Sequence, residues 1–207
     1  MADNRIGIWS ACGVGVAGVV YLIALMVGFA TVGFSSPIVD PLLAVMEVLT
    51  VISAVLLLVM MSAVHSYASL ERKTYSLLAV AFMTLAVGLT CTVHFVELTA
   101  LRQMGTAGLV WPSVPYAVEL LAWNFLLGLS LLFAARVFER SIRALRVRRA
   151  LLLSGVLCVL GSIGPVSGNM HLQFIGVFGY AAVLPVACFL LARLLRSETA
   201  HHAEALP

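Results

Sequence analysis

Six long apolar runs, separated by prolines, glycines or clusters of charge, constrain this chain more than any other feature. A transmembrane helix needs about 20 mostly apolar residues. Hydrophobic residues make up 62% of the 207-residue chain and charged residues 10%, with a mean hydropathy of +1.10. That supply suffices for six spans and short connections, with nothing left for a separate soluble domain. A water-soluble enzyme, a disulfide-knit secreted protein and a free nucleic-acid binder are excluded. A β-barrel is disfavoured because its strands alternate apolar and polar residues, whereas these runs are continuously apolar. The expected fold is all-α, a single bundle of six transmembrane helices over residues 1–207.

The breaks place the spans at about 6–34, 42–68, 74–101, 114–138, 150–163 and 170–195. Ser35-Ser36-Pro37 and Asp40-Pro41 end the first, and Glu71-Arg72-Lys73 follows the second. Trp111-Pro112 and Pro115 open the fourth, Gly164-Pro165 closes the fifth, and Pro185 marks a kink in the sixth. A cleaved signal peptide is a poor reading of the N-terminus, since its apolar stretch is too long and lacks a small-residue cleavage site. His201-His202 near the C-terminus reads as a solvated tail.

Eleven of the twelve basic residues fall on one side if both termini are cytoplasmic. They are Arg5, Arg72, Lys73, Arg136, Arg140, Arg143, Arg146, Arg148, Arg149, Arg193 and Arg196; Arg102 alone faces out. The positive-inside rule then orients the chain as a multi-pass protein with both termini in the cytoplasm. The arginine-rich connection before span five is expected to touch anionic lipid headgroups through Arg140, Arg143, Arg146, Arg148 and Arg149, with Glu139 and Arg143 forming a helical i,i+4 pair. Nucleic acid is not an expected partner.

Two patterns have plain readings. Gly13-Val-Gly15-Val-Ala-Gly18 spells a dinucleotide fingerprint, but it lies inside a span with no strand before it. Small residues that let helices pack closely explain it better. Cys12, Cys91, Cys158 and Cys188 each sit in an apolar run, without ligand-like spacing, and read as small hydrophobes.

The ionisable residues inside the spans carry the functional expectation. With the helix directions above, Glu47, His94, Glu97, Glu119 and His171 all lie in the outer third of the bilayer. Glu47 is six residues past Pro41, about 9 Å at 1.5 Å per residue. Charges at membrane depth usually face a bundle interior or a watery cavity. Asn124, with Thr90, Asn169 and Gln173, adds hydrogen-bonding groups at similar depth. One outward-facing polar pocket for ligand or protons follows, with Trp111 and Trp123 as aromatic walls for a cation. His94, Glu97 and His171 are the metal-ligand candidates, His-x-x-Glu being a usable helical spacing. The alternative is that each group snorkels to the headgroups or pairs locally. Lys73, the only lysine, lies in a loop, which disfavours a retinal protein. Serine-protease and zinc-protease signatures are absent, and the sequence leaves any cofactor unknown.

The layout resembles a family of small bacterial six-span proteins known as a domain of unknown function. The resemblance rests on Leu43-Ala-Val-Met-Glu47-Val-Leu, on Trp123-Asn-Phe-Leu-Leu-Gly128-Leu-Ser-Leu-Leu-Phe133 and on the basic loop before span five. The resemblance implies a six-helix fold in a bacterial inner membrane and no known activity. Thr92-Val-His94-Phe-Val and Asn169-Met-His171-Leu-Gln are similar to the histidine motifs of the six-span MHYT sensor domain, which imply metal near the outer face. The MHYT tetrapeptide and a third motif are missing. The functional classes left open are a small-solute, proton-linked transporter or ligand binder, a structural or partner-regulating subunit (homo-oligomeric assembly included), and a membrane enzyme acting on lipid or using a metal.

Overall fold

The computed structural model describes residues 2–33, 36–106, 108–139 and 141–204. Six helices are long and apolar enough to cross a membrane, and no strand occurs among the described residues. They are α1 (Ala2–Val32), α2 (Leu42–Tyr67), α3 (Lys73–Val96, continued by Glu97–Leu101), α4 (Val114–Ala135), α5 (Ile142–Gly161, followed by Ile163–Ser167) and α6 (Gln173–Ala200, running on to Glu204). The chain is a multi-pass helical membrane protein. Large apolar side chains such as Trp9, Ile23, Leu85, Phe95 and Phe178 stand exposed on its outside, the surface a bilayer solvates.

The sequence boundaries need correction at three places. Helix α5 begins at Ile142, not Ala150: Ser141 caps it by accepting the Ala144 N–H at 3.1 Å. The arginines of the supposed loop therefore form its first turns, because long basic side chains let a helix run past its apolar stretch toward water. Helix α4 stops at Ala135, and Phe138 instead folds beneath the bundle, fully buried and stacked on Tyr67 at 5.6 Å. Helix α6 begins at Gln173, since residues 168–172 form a turn.

Each helix packs on its chain neighbours, and α1 against α6 closes a six-membered ring. Small residues set the close approaches. A Cβ added at Gly18 would lie 2.6 Å from Pro185 Cγ of α6, and one at Gly13 2.9 Å from Leu56 of α2. Close packing thus accounts for the glycine pattern in α1. One half of the ring, toward both termini, is filled by Met60, Met61, Met83, Leu127, Leu131, Leu151, Leu191 and Leu195. Buried Cys158 and Cys188 belong to this core, Cys188 Sγ lying 3.7 Å from Met60 Sδ. His65, near the same end, meets Ser76 at 2.8 Å and joins α2 to α3. The other half is hollow.

Three helices loosen to i→i−5 hydrogen bonding in or beside that hollow half: Glu97–Leu101, Leu121–Leu126 and Phe178–Val183. Such π-bulges shift the register of side chains and occur often at functional sites. The freed backbone must find partners when water is absent. Ser154 of α5 supplies one by donating to the Gly179 carbonyl at 2.8 Å.

Candidate functional site

The hollow half encloses a cavity of about 550 Å³ whose mouth is rimmed by residues 36–40, 105–106 and 109–110. Its size lies in the range of small-molecule sites. Glu47 of α2, His94 and Glu97 of α3, and Glu119 of α4 all line it. Carboxylates from three helices therefore share one cavity.

Each acid is held differently. Glu119 Oε1 lies 2.8 Å from His94 Nε2, and both residues are buried. That contact leaves His94 Nδ1 and Glu119 Oε2 buried without hydrogen-bond partners among the described residues. Glu97 accepts the Gly108 N–H on both oxygens, at 3.1 and 3.0 Å. That contact needs the chain to reverse after α3, which Gly105 allows at φ +67°. Ser113, the N-cap of α4, donates to the Gly108 carbonyl and accepts the Tyr116 N–H, so residue 108 is pinned from both sides.

Glu47 stands apart electrostatically. Its side chain is 1% exposed, and neither carboxylate oxygen has a hydrogen-bond partner among the described residues. Among the described residues its one ion-pair partner is Arg102, with Nη2 at 3.5 Å. Arg102 in turn grips Asp40 through Nε at 2.9 Å and Nη2 at 2.6 Å. Chiefly through those hydrogen bonds, it holds the Asp40 carboxyl below its ordinary pKa. Asp40 also accepts the Ala44 N–H in the first turn of α2. The sequence reading assigned neither Asp40 nor Arg102 to the site. An acid and the only outward-facing base, one at each end of the mouth, were the available signal.

Aromatic and apolar groups complete the wall. Tyr21, Tyr116, Trp123 and Tyr180 line the cavity with Phe29 and Phe174 above and Leu57 and Leu184 below. The Trp123 ring lies 5.2 Å from that of Tyr180.

Several expected members are elsewhere. His171 is exposed in the turn before α6 and does not line the cavity; its backbone N–H donates to Asn169 Oδ1 at 3.1 Å and its carbonyl accepts the Phe174 N–H at 3.3 Å. The turn replaces the helical start that would have aimed its ring inward. Asn124 is fully buried but lies behind the cavity wall, against Gly161 of α5 and Gly176 of α6, its amide without a hydrogen-bond partner among the described residues. Trp111 packs edge-on against Tyr116, with ring centroids 6.3 Å apart, and is not part of the wall. Among the described residues no three His, Cys, Asp or Glu side chains are placed to hold a metal ion, so His94, Glu97 and His171 form no ligand set.

Of the arginines expected at lipid headgroups, Arg140 lies outside the described residues, as do the side chains of His201 and His202. Arg148 bonds Glu139 at 3.1 Å, and Arg72 pairs with the same carboxylate. Glu139 therefore does not pair with Arg143, because it precedes the N-cap and is not on the helix. Arg149 is exposed, and Arg143 and Arg146 face the end of α6. Comparison with protein-family models, curated proteins and solved structures gives no match to this chain.

Proposed function

We propose that the cavity binds a small organic cation, and that the protein takes up or transports this solute from the side of the membrane opposite its termini. The observation that carries this reading is Glu47: a buried carboxylate in the wall of a cavity, with no hydrogen bond to either oxygen among the described residues, whose nearby Arg102 at 3.5 Å is already gripped by Asp40. Burying an anion in that state is costly unless a cation reaches it. Four acids (Asp40, Glu47, Glu97, Glu119) face one arginine and one histidine, so the cavity favours positive charge. Aromatic faces suit an ammonium or guanidinium with an apolar body. The one-sided distribution of basic residues supports cytoplasmic termini. The apolar core closes the floor, so transport requires the ring to rearrange, and the π-bulges and Pro185 are the natural points of yield.

Titration calorimetry on the purified protein tests the reading, with benzyltrimethylammonium, tetramethylammonium and neutral benzyl alcohol as probes. Saturable binding of benzyltrimethylammonium, lost in Glu47→Gln and absent for the alcohol, supports it. Equal affinity for the neutral probe defeats it. A structural or partner-regulating subunit is then the better reading, favoured by Glu97, Glu119 and Asp40 each having a local partner.

A further inference from the structure

The opposite end of the bundle carries a second, chemically inverted cavity. Arg143 and Arg146 from the start of α5 face Arg193 and Arg196 from the end of α6 across a cleft of about 540 Å³. Ser197 and Ala200 complete its upper wall, and Leu190 and Leu194 form an apolar floor. No acid lines it. Among the described residues, none of the four arginines takes part in an ion pair, whereas Arg72 and Arg148 share Glu139.

We infer that this cleft is a binding site for the phosphate headgroup of an anionic lipid. Four like charges in one groove repel, and the arrangement is relieved when an anion enters. Guanidinium groups present paired donors that match phosphate oxygens two at a time. The vertical order of the wall selects a lipid over a free anion. Arg143 lies in the first turn of α5 and Arg196 in the last turns of α6, where both helices leave their apolar stretches. Leu190 lies one turn deeper than Arg193 along α6, in the direction an acyl chain would take. Basic pockets between membrane helices at the headgroup level bind lipid phosphates by this combination. The site is independent of the cation cavity, which lies in the other half of the ring.

Native mass spectrometry of the purified full chain with phosphatidylglycerol or phosphatidylcholine tests the inference. Retention of phosphatidylglycerol over phosphatidylcholine is expected, falling roughly thirtyfold in Arg146→Gln/Arg196→Gln. Arg148→Gln, which removes an arginine already paired with Glu139, should leave retention unchanged. Arg146→Lys/Arg196→Lys, which keeps the charge but not the donor fork, should fall between the wild type and the double Gln variant. Equal retention of the two lipids overturns the site, as does a double Gln variant that binds like the wild type. Displacement of phosphatidylglycerol by equimolar inorganic pyrophosphate would overturn the lipid assignment in favour of a free anion.

Discussion

Arg102 stands between two carboxylates of opposite situation, gripping the exposed Asp40 at 2.6 and 2.9 Å while lying 3.5 Å from the buried Glu47. One guanidinium thus ties the mouth of the cavity to its interior charge. Under the proposed function, a cation arriving at Glu47 would compete with Arg102 for that carboxylate, with Asp40 already in place to hold the arginine released.

The clasp has a defined pH dependence. Because Arg102 lowers the Asp40 pKa, the contribution of this pair to stability is fully present above the ordinary aspartate value of about 3.9 and is lost as pH falls through the lower native value. The melting-temperature gap between wild type and Asp40→Asn should therefore be constant above about pH 5 and close in stronger acid. A gap that widens on acidification contradicts the pairing. The pair is exposed, so the gap is expected to be small and to shrink with salt.

His94 and Glu119 should behave as one unit. In a double-mutant cycle of His94→Gln and Glu119→Gln, read by denaturation of the solubilised protein, a coupling of about 1–3 kcal/mol is expected for a buried hydrogen-bonded pair. Additive single effects would show that the 2.8 Å contact has no energetic counterpart.

The ring depends on backbone proximity at its glycines. A Cβ at Gly155 would lie 2.9 Å from the Gly128 carbonyl oxygen, a backbone atom that cannot swing aside. Gly155→Val should cost about 1–3 kcal/mol by overpacking the α4–α5 crossing. Gly88 has open space where its Cβ would go, so Gly88→Ala should be neutral or stabilising. Equal effects of the two in thermal unfolding would refute the packing argument.

Topology is open to direct labelling. A cysteine placed at Ser36 or Gly105, both at the cavity mouth, should react with an impermeant thiol reagent added to intact cells. One placed at Arg146 should react only after permeabilisation. The reverse pattern would invert the proposed orientation, and the cation would then be drawn from the cytoplasm.

What the sequence determined by itself is position along the membrane normal. Six apolar runs set the number of helices, and a constant rise of 1.5 Å per residue places Glu47, His94, Glu97 and Glu119 at one depth. Direction around each helix axis is another matter. A π-bulge inserts one residue into a turn and rotates everything beyond it by about 100°, so no periodic reading across Leu121–Leu126 locates Asn124. His171 has suitable depth yet sits on a turn, where the helical rule does not apply. Contacts between distant segments lay further beyond reach. The meeting of Arg102 with Asp40, of Arg143 and Arg146 with Arg193 and Arg196, and of α1 with α6 all follow from closing the ring. Closure is decided by which small residues let two backbones touch, a property of helix pairs and not of any single stretch of sequence.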